Sequence, residues 1–274
     1  MKSAQEVKKI VSFLRRTYKN QKKTNGIIAV SGGIDSALSL TLLTKALGPK
    51  NVYPVLLPYG DQSIADSELI CSWNKVPKKN WQTINIKHAV DTITATCHSG
   101  KGGDEEPYPE SRKLSRNTGS PMQARSAASS RMTKLRLGNA MARTRMIYVF
   151  DKAKELNGLV CGTENKSEHY LGYFTRFGDA ASDIEPIAHL YKTHVRELVK
   201  FLDLPEAFLE KAPSAGLWED QTDENEMGFS YEDADKALAV ILDESKEKID
   251  QELLKKVKKV VTVQAFKHQV PYKM

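Results

Sequence analysis

Gly26-Ile27-Ile28-Ala29-Val30-Ser31-Gly32-Gly33-Ile34-Asp35-Ser36-Ala37-Leu38 is the stretch on which the fold turns. Its first five residues form a short apolar run suited to a buried strand. Ser31-Gly32-Gly33 reads as a turn, and Ala37–Leu47 as a helix stopped by Gly48-Pro49. A strand feeding a glycine turn and then a helix gathers free N–H groups and the positive end of the helix dipole at one point. The two glycines let the backbone approach a ligand closely. Ser31 and Ser36 add hydroxyl donors for phosphate oxygens, and Asp35 offers a hard oxygen for Mg2+. Neither GxxxxGK(S/T) nor GxGxxG occurs, so the P-loop and dinucleotide fingerprints are excluded.

Outward from this stretch, strand and helix patterns alternate. Residues 5–18 place Val7, Ile10, Val11, Leu14 and Tyr18 on one helical face. Strands are predicted at 51–57, 82–86 and 159–161, with helices at 62–73 and 89–97 between them. Such alternation predicts an α/β fold, a doubly wound and mainly parallel sheet with helices on both faces. Residues 139–156, 193–204, 230–242 and 246–263 read as further helices, so C-terminal helices complete the fold. Between them, residues 98–136 are rich in Gly, Ser and charge, and read as a flexible insertion in an otherwise single domain spanning 1–274.

The 274 residues are 40% apolar, enough to bury a large core, and no apolar run reaches membrane-spanning length. The first residues lack a signal-peptide pattern, so a cytoplasmic location is expected. Cys71, Cys97 and Cys161 lie far apart, with neither metal-ligand nor disulfide spacing. The net charge is +7, but residues 101–136 alone hold eight Lys/Arg against four Asp/Glu. The excess is local, and nucleic acid is not the expected partner.

The SGGIDS turn resembles the pyrophosphate loop of the N-type ATP pyrophosphatases, which adenylate a substrate oxygen. The second half narrows the resemblance. Ala142-Arg143-Thr144-Arg145-Met146, Gly162-Thr163-Glu164-Asn165-Lys166-Ser167-Glu168, Gly172-Tyr173-Phe174-Thr175-Arg176-Phe177-Gly178-Asp179 and Asp183-Ile184-Glu185-Pro186-Ile187 come in order. With Lys192, Pro213-Ser214-Ala215 and Phe229-Ser230-Tyr231, they resemble the ammonia-dependent NAD synthetases. No amidase-like segment precedes them, which points to the form that takes free ammonia.

The resemblance implies an adenine nucleotide alpha hydrolase-like fold and a ligase reaction. Deamido-NAD, ATP and ammonia give NAD, AMP and pyrophosphate. It implies that Ala29, Val30, Ser31, Gly32, Gly33, Ile34, Asp35 and Ser36 form the ATP loop, joined by Thr163, Lys192 and Ser214. Asp35 and Glu168 are implied ligands of Mg2+. Arg143, Arg176, Asp183, Phe266 and Lys267 are implied contacts to deamido-NAD, and a homodimer is implied as the assembly.

Some positions depart from the family pattern. Ser214 stands for a frequent Thr, Arg176 for a frequent Lys, Phe266 for a frequent His and Gly216 for an acid. The polar run 219–227 reads as a mobile cover that orders over ATP. His169 reads as structural. Two other functions compete: a tRNA-modifying pyrophosphatase, which lacks support from any CxxC pair, and a nucleotide-binding regulator without turnover. Retention of Asp35 and Glu168 argues against the second.

Overall fold

The computed structural model describes residues 2–98, 121–211 and 222–269. Strands β1 (Gly26–Ala29), β2 (Val52–Leu56), β3 (Gln82–Thr83) and β4 (Leu159–Cys161) form one sheet in the order β3-β2-β1-β4. Every pairing is parallel, with Gly26 opposite both Val52 and Leu159. From β1 the chain steps outward to β2 and β3, then returns to set β4 on the other side of β1. The direction of winding reverses between β1 and β4. Loops leaving the carboxyl ends of these two strands diverge there and open a crevice, which is where open parallel sheets bind ligands.

Period-two alternation sends neighbouring side chains to opposite layers. Ile28 and Cys161 join one core, Ile27 and Val160 the other. The first layer is covered by α1 (Ser3–Asn20), α2 (Ile34–Leu47), α3 (Ala65–Trp73) and α7 (Lys192–Phe201). The second is covered by α4 (Lys87–His98) and α5 (Pro121–Glu155). The expected doubly wound α/β arrangement is thus present.

Helix α1 buries Ile10, Leu14 and Tyr18, four residues apart, and leaves its Lys/Arg face in water. Helix α2 has no such stripe: every residue from Ser36 to Thr44 is buried. It packs against α1, α3, α7 and the sheet at once, and so needs an apolar surface all round. A third core unites α6 (Lys166–Leu171), α10 (Tyr231–Ile241) and α11 (Gln251–Gln264) through Leu171, Ala234, Leu238 and Val257. Two short helices, α8 (Ala207–Glu210) and α9 (Asp223–Met227), complete the α-helices among the described residues.

One expectation needs correction. The helix expected over 139–156 starts at Pro121 as α5, inside the segment read from composition as an insertion. Residues 121–136 lack the large apolar residues that make periodicity visible. They nonetheless hold three Ala, three Arg and two Met, which favour helix without any periodic stripe, and Pro is well placed at a first helical position. The polar run 219–227 is described in part. Its described part is α9, capped by the Thr222 side chain and closed by Gly228, and Asp223 is buried. Among the described residues no helix is long and apolar enough to cross a membrane.

Candidate active site

The crevice between β1 and β4 receives the turn read first in the sequence. Gly33 precedes α2 as its N-cap, in extended backbone, so the first N–H groups of the helix point into the crevice. Ser31 Oγ accepts the Gly33 N–H at 3.2 Å and lies 3.1 Å from Ser36 Oγ, which donates to the Gly33 carbonyl at 2.9 Å. The two hydroxyls therefore brace a tight loop. Gly32 sits at φ 77°, and a Cβ there would lie 2.9 Å from Asp66 Cβ. Only glycine meets both demands without strain.

From the opposite side, the β4 loop brings Thr163, Asn165 and Glu168. Asn165 is fully buried and caps α6 by accepting the Glu168 N–H at 3.0 Å. Its Nδ2 also donates to Asp35 Oδ1 at 2.8 Å. Lys192, at the start of α7, donates from Nζ to Asp35 Oδ2 at 2.6 Å and to Glu168 Oε1 at 2.8 Å. Asp35, Glu168 and Lys192, drawn from three distant segments, thus meet at one ammonium. Thr163 is half-buried on the same loop.

The electrostatics of this centre are strongly perturbed. Burial, then the Asp35 charge, pushes the Glu168 carboxyl well above the usual range, and Lys192 opposes both. For Lys192, burial works against the ammonium, but Asp35 and Glu168 outweigh it and raise its pKa. The side chain of Lys192 is only 3% exposed, so its charge is held by these partners rather than by water. Its ammonium also faces the Tyr231 ring, 4.9 Å from the centroid. Tyr231 in turn donates its hydroxyl to Asp223 Oδ2 at 2.9 Å, while Asp223 Oδ1 is buried without a hydrogen-bond partner. One ammonium thus serves two half-buried carboxylates, Asp35 and Glu168, with buried Asp223 close by, a set of hard oxygens that suits an added cation.

Behind the centre, Ser167 Oγ contacts Asp235 and accepts the Lys192 N–H at 2.9 Å, while Asp235 Oδ2 accepts the Thr193 N–H at 2.9 Å. These bonds satisfy the first N–H groups of α7 and so set the position of Lys192.

Of the residues expected at the acceptor end, Arg143, Arg176, Phe266 and Lys267 gather at the turn after α6, whereas Asp183 lies apart at the edge of β4. Arg143 is exposed and donates from Nε to the Arg176 carbonyl at 3.1 Å. The Arg176 guanidinium lies 5.5 Å from the Phe177 ring centroid and 5.7 Å from that of Phe266, and its Nε is buried without a partner. Lys267 donates to the carbonyls of Gly172 at 2.7 Å and Phe174 at 3.2 Å, which docks the C-terminal turn on this loop. Asp183 keeps one oxygen on the Val160 N–H at 2.7 Å. Ser214 and Gly216 lie outside the described residues. His169 pairs with Glu164 at 3.3 Å and stands against His268 and Phe174, with its side chain 43% exposed.

Sequence reasoning gave no role to Asn165, Asp223, Tyr231 or Asp235. A usable signal existed for Asp235. It adjoins Ala234, Ala237 and Leu238, so an acid sits beside the apolar face of α10 and needs donors from a neighbouring element.

A parallel sheet with a serine-glycine loop, a buried lysine and two carboxylates at its switch point defines a nucleotide-handling α/β enzyme. The NAD synthase family model matches residues 6–271. The chain is 38% identical to an NH(3)-dependent NAD(+) synthetase of Fusobacterium nucleatum over 240 residues, 86% of this chain and 80% of the relative. It is 33% identical to the enzyme of that name from Thermoplasma acidophilum over 98% of this chain and 97% of the relative. The solved structure of NMN synthetase from Francisella tularensis superposes with a TM-score of 0.80 at 30% identity, covering 100% of this chain and 99% of that one. This chain belongs to the NAD synthase family.

Proposed function

We infer that the chain catalyses ATP-dependent amidation of deamido-NAD by ammonia, releasing NAD, AMP and pyrophosphate. A nicotinate carboxylate resists ammonia because oxide would have to leave. Attack of that carboxylate on the α-phosphorus of ATP expels pyrophosphate and yields a mixed anhydride. Ammonia then adds to its carbonyl carbon, AMP departs, and the nitrogen loses a proton to form the amide. The observation that carries this reading is the convergence of Asp35, Glu168 and Lys192 beside the Ser31–Ser36 turn.

In this reading residues 29–36, Thr163 and Lys192 hold ATP, with Ser214 as a further hydroxyl. Backbone N–H groups and the two serine hydroxyls hold the leaving pyrophosphate. Lys192 supplies a point charge as negative charge grows there. Among the described residues no three His, Cys, Asp or Glu side chains are arranged to bind a metal by themselves. Asp35 and Glu168 nevertheless share one cationic partner, and Mg2+ usually takes one or two carboxylates with phosphate and water. These two residues would hold Mg2+, which neutralises polyphosphate charge when bound. Arg143, Arg176, Asp183, Phe266 and Lys267 form the acceptor end.

The proposed assembly is a cytoplasmic homodimer, and the proposed organisation is one domain whose connection at 98–136 includes the start of α5. Ile147 is 64% exposed and Phe150 37% on one face of α5, with Ile93 of α4 at 46%, which supports a self-association surface.

One observation favours a second acceptor: the Francisella neighbour covering the whole chain is an NMN synthetase by name. The deamido mononucleotide has the same nicotinate carboxylate without the adenylate half. The deciding experiment offers both acceptors with ATP, Mg2+ and ammonium, and follows NAD, NMN and AMP by chromatography. NAD and AMP in equal amounts, abolished by omitting ammonium or by chelating the metal, are expected. A higher kcat/KM for the mononucleotide would assign the second acceptor. Neither product from a folded, ATP-binding sample would refute the amidation.

A further inference from the structure

Glu185 has no part in the chemistry above, yet its surroundings are specific. The segment before it runs beside β4: Asp183 N–H donates to the Val160 carbonyl at 2.9 Å, Gly162 N–H to the Ile184 carbonyl at 2.8 Å, and Cys161 bridges Ile184 in parallel. From this added edge the Glu185 side chain turns back under the β4 loop. Its Oε2 accepts the Glu164 N–H at 3.1 Å, and its Oε1 accepts the Ser182 hydroxyl at 2.7 Å. Its carboxyl fills the space above Gly162, where an added Cβ would come within 1.8 Å of Oε1 and 2.3 Å of Cδ. Glycine at 162 and glutamate at 185 therefore fit as one unit.

The loop leaving Gly162 builds the phosphate centre. Thr163, the Asn165 that bonds Asp35, and the Glu168 that bonds Lys192 all lie within six residues of it. Among the described residues no Lys or Arg pairs with Glu185, so its two hydrogen bonds, rather than an ion pair, hold it in place.

We propose that Glu185 is a positioning residue for the phosphate centre: its carboxyl props the Gly162–Glu164 turn and thereby sets Asn165 against Asp35. Glu185 does not touch the reacting atoms. The role rests on the amidation reading only in naming the ligand as ATP. A leucine at 185 would fill the space but strand the Glu164 N–H and the Ser182 hydroxyl. A glutamine would keep the shape and accept the Glu164 N–H through its amide oxygen, while its NH2 donates to the Ser182 hydroxyl in place of accepting from it.

The test measures ATP binding by calorimetry and steady-state NAD formation for wild type, E185L, E185Q and S182A. E185L is expected to weaken ATP about tenfold, raising KM for ATP more than KM for ammonium. E185Q is expected to restore ATP affinity to within about threefold of wild type, and S182A to weaken it about threefold. Should E185L not fold, S182A and E185Q carry the test. Wild-type ATP affinity in both folded E185L and S182A, or in S182A alone if only it folds, overturns the proposal. So does a glutamine variant as weak as leucine. NAD formation by wild type separates this outcome from failure of the amidation reading, since ATP binding is scored on its own.

Discussion

Asn165 Nδ2 donates to Asp35 Oδ1 at 2.8 Å across 130 residues of sequence, and the same side chain caps α6. One buried amide thus joins the loop after β4 to the first turn of α2. Replacing it by alanine removes a cap worth about 1 kcal/mol and frees one oxygen of Asp35. For N165A we expect Tm to fall by about 2–4 °C, as that energy implies for a chain of this size. KM for ATP should rise at least fivefold. Thermal unfolding and ATP titration check both; unchanged ATP kinetics would separate Asn165 from the site.

Lys192 is the shared partner of Asp35 and Glu168. K192M is expected to lower kcat/KM for ATP by about 100-fold to 1,000-fold, the usual cost of losing a group that stabilises developing charge. K192R should recover little of this. Its side chain is 3% exposed, and a planar fork does not replace a compact ammonium in so close a space. Initial rates at varied ATP measure the effect, and near-wild-type turnover by K192M would remove lysine from the mechanism.

Gly32 combines φ 77° with a Cβ position 2.9 Å from Asp66 Cβ. The left-handed backbone alone costs a non-glycine residue about 1–2 kcal/mol. G32A should therefore lower Tm by several degrees and weaken ATP binding about tenfold or more, because the loop must shift to seat the methyl group. Retained Tm and ATP affinity would show that the turn tolerates a side chain.

Burial pushes the Glu185 carboxyl up to about 8 from 4.5, with the Glu164 and Asp179 charges adding to the rise and bonds from Ser182 and Glu164 opposing it. The folded state then binds more protons than the unfolded state between these values. Stability associated with this group is present below pH 4.5 and is lost as pH rises through about 8. Glu164 with its partner His169, Asp179, and Cys161 on β4 surround the same carboxyl. E185Q removes the contribution of this carboxyl and leaves that of Glu168, which burial also raises to about 8, in place. Its Tm is expected to decline less than that of wild type from pH 6 to 9. Parallel Tm profiles would contradict this assignment.

The strand-turn-helix at 26–47 was legible in the sequence because each of its signals is local. Apolar residues mark the strand, glycines the turn, and Gly48-Pro49 the helix end. The alternation of further strands gave the parallel sheet for the same reason. The start of α5 was not legible from periodicity, since residues 121–136 favour helix by propensity without an apolar stripe.

Sequence alone therefore determined the secondary-structure order, the phosphate-suited turn and, through resemblance, the family. Tertiary structure alone decided what meets at that turn. Strand order β3-β2-β1-β4 sets the β4 loop beside the β1 loop, and packing of α7 on α2 delivers Lys192 to both carboxylates. Asp223, Asp235 and Glu185 became visible only there. A local pattern encodes local conformation, whereas the balance of buried charges and hydrogen bonds depends on residues of separate elements, up to the 157 positions between Asp35 and Lys192, that only packing brings together.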